Sequence, residues 1–376
     1  MKMQAAILRV QGLARPYADS RPLSVEEVEL DPPGPGEVLY KIIGAGLCHS
    51  DLSTIENLRP RTLPTIPGHE AAGIVEAVGP GVTAFKPGDH VISVFVSSCG
   101  DCRYCARARP NLCTSAFASR TDGTLVSGAR RLHIGGEAIH HYSGLSVFAQ
   151  YAVVSETALI GIPDDVALED AAVFGCAVVT GVGAVLNTAQ VPPGGQMAVV
   201  GLGGVGMCAL MGGVVAGAER IVAVDLNPQK LELARELGAT DCFLAGAPDA
   251  AAAIREATGG GLDYVIETAG AIAAMNLAYA ITARGGMVVS AGLPAAASQF
   301  SYAHSALVSE EKSIRGSYMG SCVPKRDIPR FIALYKRGKL PVQKLRSGFI
   351  TFDQINEGFD HLADGTVLRQ ILQPHA

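Results

Sequence analysis

Short apolar runs cut by glycine and proline fill the first third of the chain. Residues 36–43 (GEVLYKII) and 72–78 (AGIVEAV) alternate or run apolar between turn residues, the pattern of short β-strands. From about residue 178 the texture changes to strand–helix alternation. Residues 197–200 form a short apolar strand followed by a glycine turn and a helix, and 221–225 form a second strand. Pro228 then sits near the start of a helix that ends at Gly238, the usual placement of these two residues about a helix. Further strands are predicted at 242–244, 263–266, 287–290 and 314–318, with an alanine-rich helix start over 248–253. Six strands with crossover helices make an α/β fold built on a doubly wound parallel sheet. Mixed helix and strand return after about 320, and this last stretch is expected to rejoin the first domain. The predicted division is therefore 1–177 with 320–376, and 178–319.

Residues 197–218 carry no charge and are long enough to span a bilayer. Seven of those 22 residues are glycine, however, which favours a buried strand, a tight turn and a packed helix over a membrane span. Across all 376 residues, 48% are hydrophobic and 17% charged, enough apolar material for two cores. The net charge is −5 and no long basic run occurs, which argues against nucleic acid or an anionic membrane as the partner. Nine cysteines, no secretory apolar segment at the start and metal-like spacing point to a reducing compartment such as the cytoplasm.

Cys99, Cys102, Cys105 and Cys113 follow a C-x2-C-x2-C-x7-C spacing. Four thiolates this close can close a tetrahedral shell around zinc with no open position, a structural site. Disulfides are possible in principle, but thiols at every third residue suit convergence on one ion better than pairwise bridging. Gly201, Gly203, Gly204, Val205 and Gly206 belong to a G-x-G-x-x-G that follows the apolar strand and opens a helix, a dinucleotide-binding context. Gly201 permits the sharp turn, Gly203 lets backbone approach a pyrophosphate, and Gly206 lets helix pack on strand. Asp225 ends the next strand, where its carboxylate can accept hydrogen bonds from a ribose and would repel a 2′-phosphate, favouring NAD over NADP. The alternative for Asp225 is a helix N-cap. Cys48 and His69 stand in polar, turn-rich settings, and Cys176 follows an apolar run; spacing alone does not bring the three together. Taken by itself, Cys176 reads as a buried small hydrophobe.

The whole chain resembles the zinc-dependent medium-chain alcohol dehydrogenases. The resemblance rests on Gly68-His69-Glu70-x2-Gly73-x5-Gly79-x2-Val82, the four-cysteine lobe, Gly175-Cys176, and the glycine turn with Asp225. It implies a β-rich GroES-like catalytic domain carrying a zinc lobe near 95–115, a Rossmann domain for NAD, and an active site in the cleft between them. It further implies a catalytic zinc on Cys48, His69 and Cys176, with Glu70 beneath it and able to enter the shell, and Asp51 orienting His69. Zinc would acidify a bound alcohol, hydride would pass to the nicotinamide, and Ser50 would take the substrate proton. His49 matches a position near the pyrophosphate, Lys230 one near the adenosine ribose, and Arg369 one near phosphate. Apart from the family match, Lys230 and Arg369 read as ordinary surface residues. Thr180 and Val205 match positions behind the nicotinamide, and Phe95, Tyr142 and Leu293 match an apolar pocket suited to primary aliphatic or aromatic alcohols. Ser53 stands where many members carry a histidine as the last proton-relay group, which leaves Ser53, water or His49 for that step.

The chain lies nearest the glutathione-dependent formaldehyde dehydrogenase branch, yet Phe117 replaces the basic residue that branch uses for a glutathione carboxylate; Arg120 is the nearby substitute. The long segment between Cys113 and Tyr142 reads as a surface loop and matches the dimeric forms, with a homodimer expected through the last Rossmann strand. A nucleic-acid-binding zinc ribbon and a zinc-free quinone reductase are the rival readings; two zinc ions per chain separate this chain from the second. Cys208, Cys242 and Cys322 are left over as expected buried small hydrophobes.

Overall fold

Aliphatic and β-branched runs in the first half pair as antiparallel strands. A computed structural model describes residues 1–376. Its first unit comprises Met1–Cys176, Val323–Ile332 and Val342–Ala376. There Lys2–Leu8 pairs with Leu23–Leu30, Met3 opposite Val28 and Leu8 opposite Leu23. A second sheet centres on Glu37–Gly46, which pairs antiparallel with Ala71–Val78, with Tyr151–Ser155 and with the C-terminal strand Arg369–Leu372. Tyr40, Ile42 and Leu47 are fully buried in its core. The helix Ile355–Ala363 adds Ile355, Phe359 and Leu362, spaced to share one face. The Phe359 ring meets that of Phe148 edge to face, centroids 6.0 Å apart.

The second unit, Ala177–Cys322 with Ala333–Pro341, holds a six-stranded parallel sheet. The strand order is Asp241–Leu244, Arg220–Asp225, Gln196–Val200, Leu262–Glu267, Thr282–Ser290 and Ser313–Gly316. Ala198, Val222, Val224, Val265 and Val288 are fully buried, as central parallel strands covered on both faces require. The charge-free stretch expected to fold inside the protein does so, as the strand Gln196–Val200 and the helix Gly204–Ala216. No single helix is long and apolar enough to cross a membrane.

Three local expectations need correction. The last strand stops at Gly316 and not at 318, because the chain reverses through Met319–Ser321, where Met319, Gly320 and Ser321 all have positive φ. The segment after Cys113 is no plain loop: it forms the helix Thr114–Asp122, closed by Gly123 in the left-handed region, and the paired strands Leu132–Ile134 and Glu137–Ala138. That segment is anchored by buried Glu37, which accepts from Arg131 Nε at 2.8 Å and Ser127 Oγ at 2.8 Å. Cys208 and Cys322 are buried, but Cys242 is only half-buried, with its thiol 3.5 Å from the Leu231 carbonyl.

Candidate active site

Cys48 sits at the N-cap of the helix His49–Ile55, in extended conformation, so its side chain leaves the helix start. Two residues into that helix Asp51 is buried, with Oδ1 2.9 Å from His69 Nδ1 and accepting the Gly68 N–H at 3.2 Å. Gly68 has φ +93°, and a Cβ there would lie 2.7 Å from the Phe148 ring, so only glycine lets the chain turn His69 toward this carboxylate. Cys176 follows the 3₁₀ turn Ala172–Gly175. These three side chains, all buried, bring their ligand atoms together: Cys48 Sγ is 4.0 Å from Cys176 Sγ, which is 3.4 Å from His69 Nε2. A tetrahedral zinc with Zn–S near 2.3 Å has S–S edges of about 3.8 Å, so the set fits the ion and leaves one position open. With Nδ1 engaged by Asp51, Nε2 is the nitrogen turned to the metal.

Electrostatics agree with that use. The Cys176 thiol donating to Cys48, aided by the Arg369 charge and His69 against the cost of burial, holds Cys48 well below the usual thiol range. Burial opposes a charged His69, but Asp51 and Cys48 outweigh it and raise the imidazole well above its ordinary value. Glu70 is buried beside them, and burial pushes its carboxyl up to about 7 against the pull of Arg369. Neither Glu70 oxygen has a hydrogen bond; its partner is Arg369, whose Nε lies 3.3 Å from Oε1. Arg369 is therefore not a surface residue. It is 2% exposed, and its Nη1 donates to the Leu47 carbonyl at 2.8 Å, a placement set by the pairing of Arg369–Leu372 with Glu37–Gly46.

Replacing Asp51 with asparagine is expected to weaken zinc at this centre about 10- to 100-fold, because the imidazole loses the carboxylate that fixes its tautomer. Competition against a chromophoric chelator measures it, and unchanged affinity would remove the orienting role.

Phe95 and Tyr142 pack on the His69 ring, with centroids 5.5 Å and 6.1 Å away. The Tyr142 hydroxyl donates to the Ser50 carbonyl at 3.3 Å and lies 3.0 Å from Thr54 Oγ1, which ties the aromatic wall to the helix carrying Ser50. Thr54 was not singled out in the sequence; its position four residues after Ser50, on the same helical face, is the signal. Half-buried Ser50 and exposed His49 lie on that same helix. Phe117 is 43% exposed on the helix Thr114–Asp122, and the Arg120 guanidinium lies 5.4 Å from its ring.

The four lobe cysteines form a second cluster with all sulfurs within 4.8 Å of one another. Backbone N–H groups point at the sulfurs, Cys99 N to Cys113 Sγ at 3.3 Å and Cys102 N to Cys99 Sγ at 3.4 Å, which favours thiolates. Hydrogen bonds from Thr114 and from backbone bring Cys102 down to about 5. This donor set fits a closed zinc shell.

In the second unit, Gly201 has φ +93°, and a Cβ on Gly206 would sit 1.9 Å from the Gly201 carbonyl oxygen. By contrast a Cβ on Gly203, the N-cap of the helix Gly204–Ala216, would meet nothing within 4 Å, which leaves open the space a pyrophosphate needs. Asp225 Oδ2 accepts from Leu202 N at 2.6 Å and Oδ1 from Asn227 N at 2.8 Å. The N-cap of the following helix is Asn227, which accepts from Gln229 N, so Asp225 stays at the strand end with lone pairs to spare. Thr180 is buried, Val205 and Lys230 are half-buried, and Leu293 is 52% exposed.

Residues 34–164 match the alcohol dehydrogenase GroES-like domain and residues 204–337 the zinc-binding dehydrogenase domain. The chain is 38% identical to alcohol dehydrogenase class-3 of Myxine glutinosa over 376 residues, covering 99% of this chain and 100% of that protein. Among solved structures it is similar to an alcohol dehydrogenase zinc-binding domain protein from Burkholderia ambifaria, at 35% identity and TM-score 0.93 with 99% of each chain covered. A benzyl alcohol dehydrogenase from Acinetobacter calcoaceticus is also similar, at 31% identity and TM-score 0.92, again with 99% of each chain covered.

Proposed function

Because the chain belongs to the zinc-dependent alcohol dehydrogenases of the medium-chain family, NAD-dependent enzymes with two zinc ions per chain, we propose that it interconverts primary aliphatic or aromatic alcohols and aldehydes. The observation that carries this reading is the buried Cys48–His69–Cys176 set with an aromatic wall of Phe95 and Tyr142 against His69. A zinc ion held there would supply Lewis acidity to the substrate oxygen, with bound NAD as the hydride acceptor. Cys48, His69 and Cys176 bind the ion, Asp51 keeps the imidazole oriented, and Glu70 waits below with Arg369 balancing its charge. Ser50 takes the hydroxyl proton at its Oγ and passes it on through Ser53, water or His49. Gly201, Gly203, Gly204 and Gly206 hold the pyrophosphate, Asp225 and Lys230 the adenosine ribose, Thr180 and Val205 stand behind the nicotinamide, and Leu293 lines the substrate pocket.

Spectrophotometric NAD reduction against linear, branched and benzylic alcohols tests this, with metal analysis of the same preparation. Turnover of primary alcohols by protein holding two zinc ions supports it; a fully loaded protein inert toward every alcohol overturns it. S-(hydroxymethyl)glutathione is the second reading, favoured by the class-3 relative. Phe117 weakens it, since an exposed apolar ring cannot pair with a carboxylate. We further infer a cytoplasmic homodimer joined along Ser313–Gly316, whose four residues are all exposed at the sheet edge. Light scattering is expected to give twice the chain mass, and a tetramer would contradict it.

A further inference from the structure

The helix His49–Ile55 is seven residues long, too short to persist by propensity alone, so packing must hold it. Leu52 and Ile55 are buried beneath it, but its first turn has no side-chain cap, because Cys48 stands at the N-cap and makes no cap bond. Ser50 lies in that turn. Its neighbour Asp51 is fixed by His69 and by the Gly68 N–H. The Ser50 carbonyl is held separately, by two hydroxyls. Thr54 Oγ1 lies 3.2 Å from it and the Tyr142 hydroxyl 3.3 Å, and the two hydroxyl oxygens are 3.0 Å apart. In either proton order one hydroxyl donates to the other, which donates to the carbonyl. Thr54 is fully buried and Tyr142 is 3% exposed, so the hydroxyls meet out of reach of water.

Tyr142 is the rigid corner of this triangle. Its N–H donates to Ser146 Oγ at 2.8 Å, and its carbonyl accepts from Leu145 N at 2.9 Å and Ser146 N at 3.2 Å, which closes a tight loop. That loop is strapped to the segment before His69 by Val147 N to the Gly68 carbonyl at 3.2 Å and Phe148 N to the Pro67 carbonyl at 3.0 Å. Valine and phenylalanine would fill the places of Thr54 and Tyr142 with no polar atom to satisfy. A buried polar network costs desolvation that an apolar wall does not, and when fully satisfied it confers rigidity. Here the rigidity acts on the main chain of the residue that takes the substrate proton.

We infer that the Tyr142 hydroxyl, with Thr54 as its second, is a positioning group for Ser50: by clamping the Ser50 carbonyl it sets where the Ser50 Oγ meets the substrate hydroxyl. This rests on the alcohol dehydrogenase reading and deepens it, since Tyr142 then has a task beyond the apolar wall made by its ring. Loss of one buried hydrogen bond is worth about 5- to 10-fold in rate when it acts only on the transition state. That figure applies to Tyr142→Phe, because Thr54 still reaches the carbonyl and its own hydroxyl stays satisfied.

Single-turnover NAD reduction by the zinc-loaded protein tests this, read together with amide hydrogen exchange over residues 49–55. Tyr142→Phe is expected to slow the hydride-transfer phase about 5- to 10-fold, with the half-saturating concentration of a primary alcohol unchanged, because the ring is retained. Exchange in the helix should quicken while the protein keeps both zinc ions. Thr54→Ser should hold the parental rate and Thr54→Val should lose part of it. Lost volume would give the opposite order, since valine is the closer match in shape. The decisive comparison is a double-mutant cycle: on a Ser50→Ala background Tyr142→Phe should have no further effect on the rate, as the group it positions is gone. An equal fold loss in both backgrounds, or a parental rate and parental exchange in Tyr142→Phe, overturns the positioning role while alcohol oxidation stands. A wild-type protein that turns over no alcohol removes the alcohol dehydrogenase reading and this role with it.

Discussion

Cys176→Ala should remove one of the two zinc ions and lower alcohol oxidation by a factor of about 1,000 or more, because several kcal/mol of transition-state charge stabilisation depend on that ion. Two ligands on separate segments cannot hold the metal with the same affinity as three. The backbone around the substitution is held independently of the metal: a Cβ on Gly175 would lie 2.0 Å from the Ser93 carbonyl, so close strand contact already sets this turn. Cys176 itself is 5% exposed, and losing one sulfur from that packing leaves a small void. Metal analysis should therefore fall from two ions to one while the far-ultraviolet spectrum is unchanged. Activity within tenfold of the parent protein would exclude this cation from the reaction.

Cys113→Ala is expected to act on stability. Cys113 is fully buried and is the N-cap of the helix Thr114–Asp122. Between Cys99 and Cys113 the chain has only two three-residue 3₁₀ turns, Cys105–Arg107 and Pro110–Leu112, so the metal acts as the core of this lobe. Without it the lobe loses the centre on which it is folded. A loss of about 4 kcal/mol corresponds, at about 2.1 cal/mol/K per residue, to a fall of roughly 5 °C in Tm. Calorimetry measures this, and limited proteolysis should cut between residues 99 and 113 in the variant first. An unchanged Tm with one zinc lost would make the lobe a passive passenger.

How far the sequence disclosed all this depends on the range of the interactions. The parallel sheet was legible because glycine and proline punctuate uniformly apolar strands, and the glycine turn carries its physical reasons in three neighbouring positions. The lobe was legible because its ligands lie within one local segment. Cys48, His69 and Cys176 were another matter: 128 residues separate the two sulfurs, and only tertiary packing brings them to 4.0 Å. Family resemblance supplied that grouping where spacing could not. Arg369 read as a surface cation since nothing nearby in sequence reveals Leu47 and Glu70 as its partners. The helix Thr114–Asp122 hid in a polar, alanine- and serine-rich stretch with no strong apolar period.

The strand Arg369–Leu372 has a bearing on biosynthesis. Its Gln370 carbonyl accepts the Leu47 N–H, and its arginine sits against Glu70, so the floor under the reactive sulfurs comes from a strand far along the chain from Cys176. A nascent polypeptide leaving the ribosome from its N-terminus therefore exposes both thiols and the imidazole long before that floor arrives. Zinc binding at this pocket should wait for that strand, and ribosome-stalled chains ending before residue 369 should bind metal at the lobe alone.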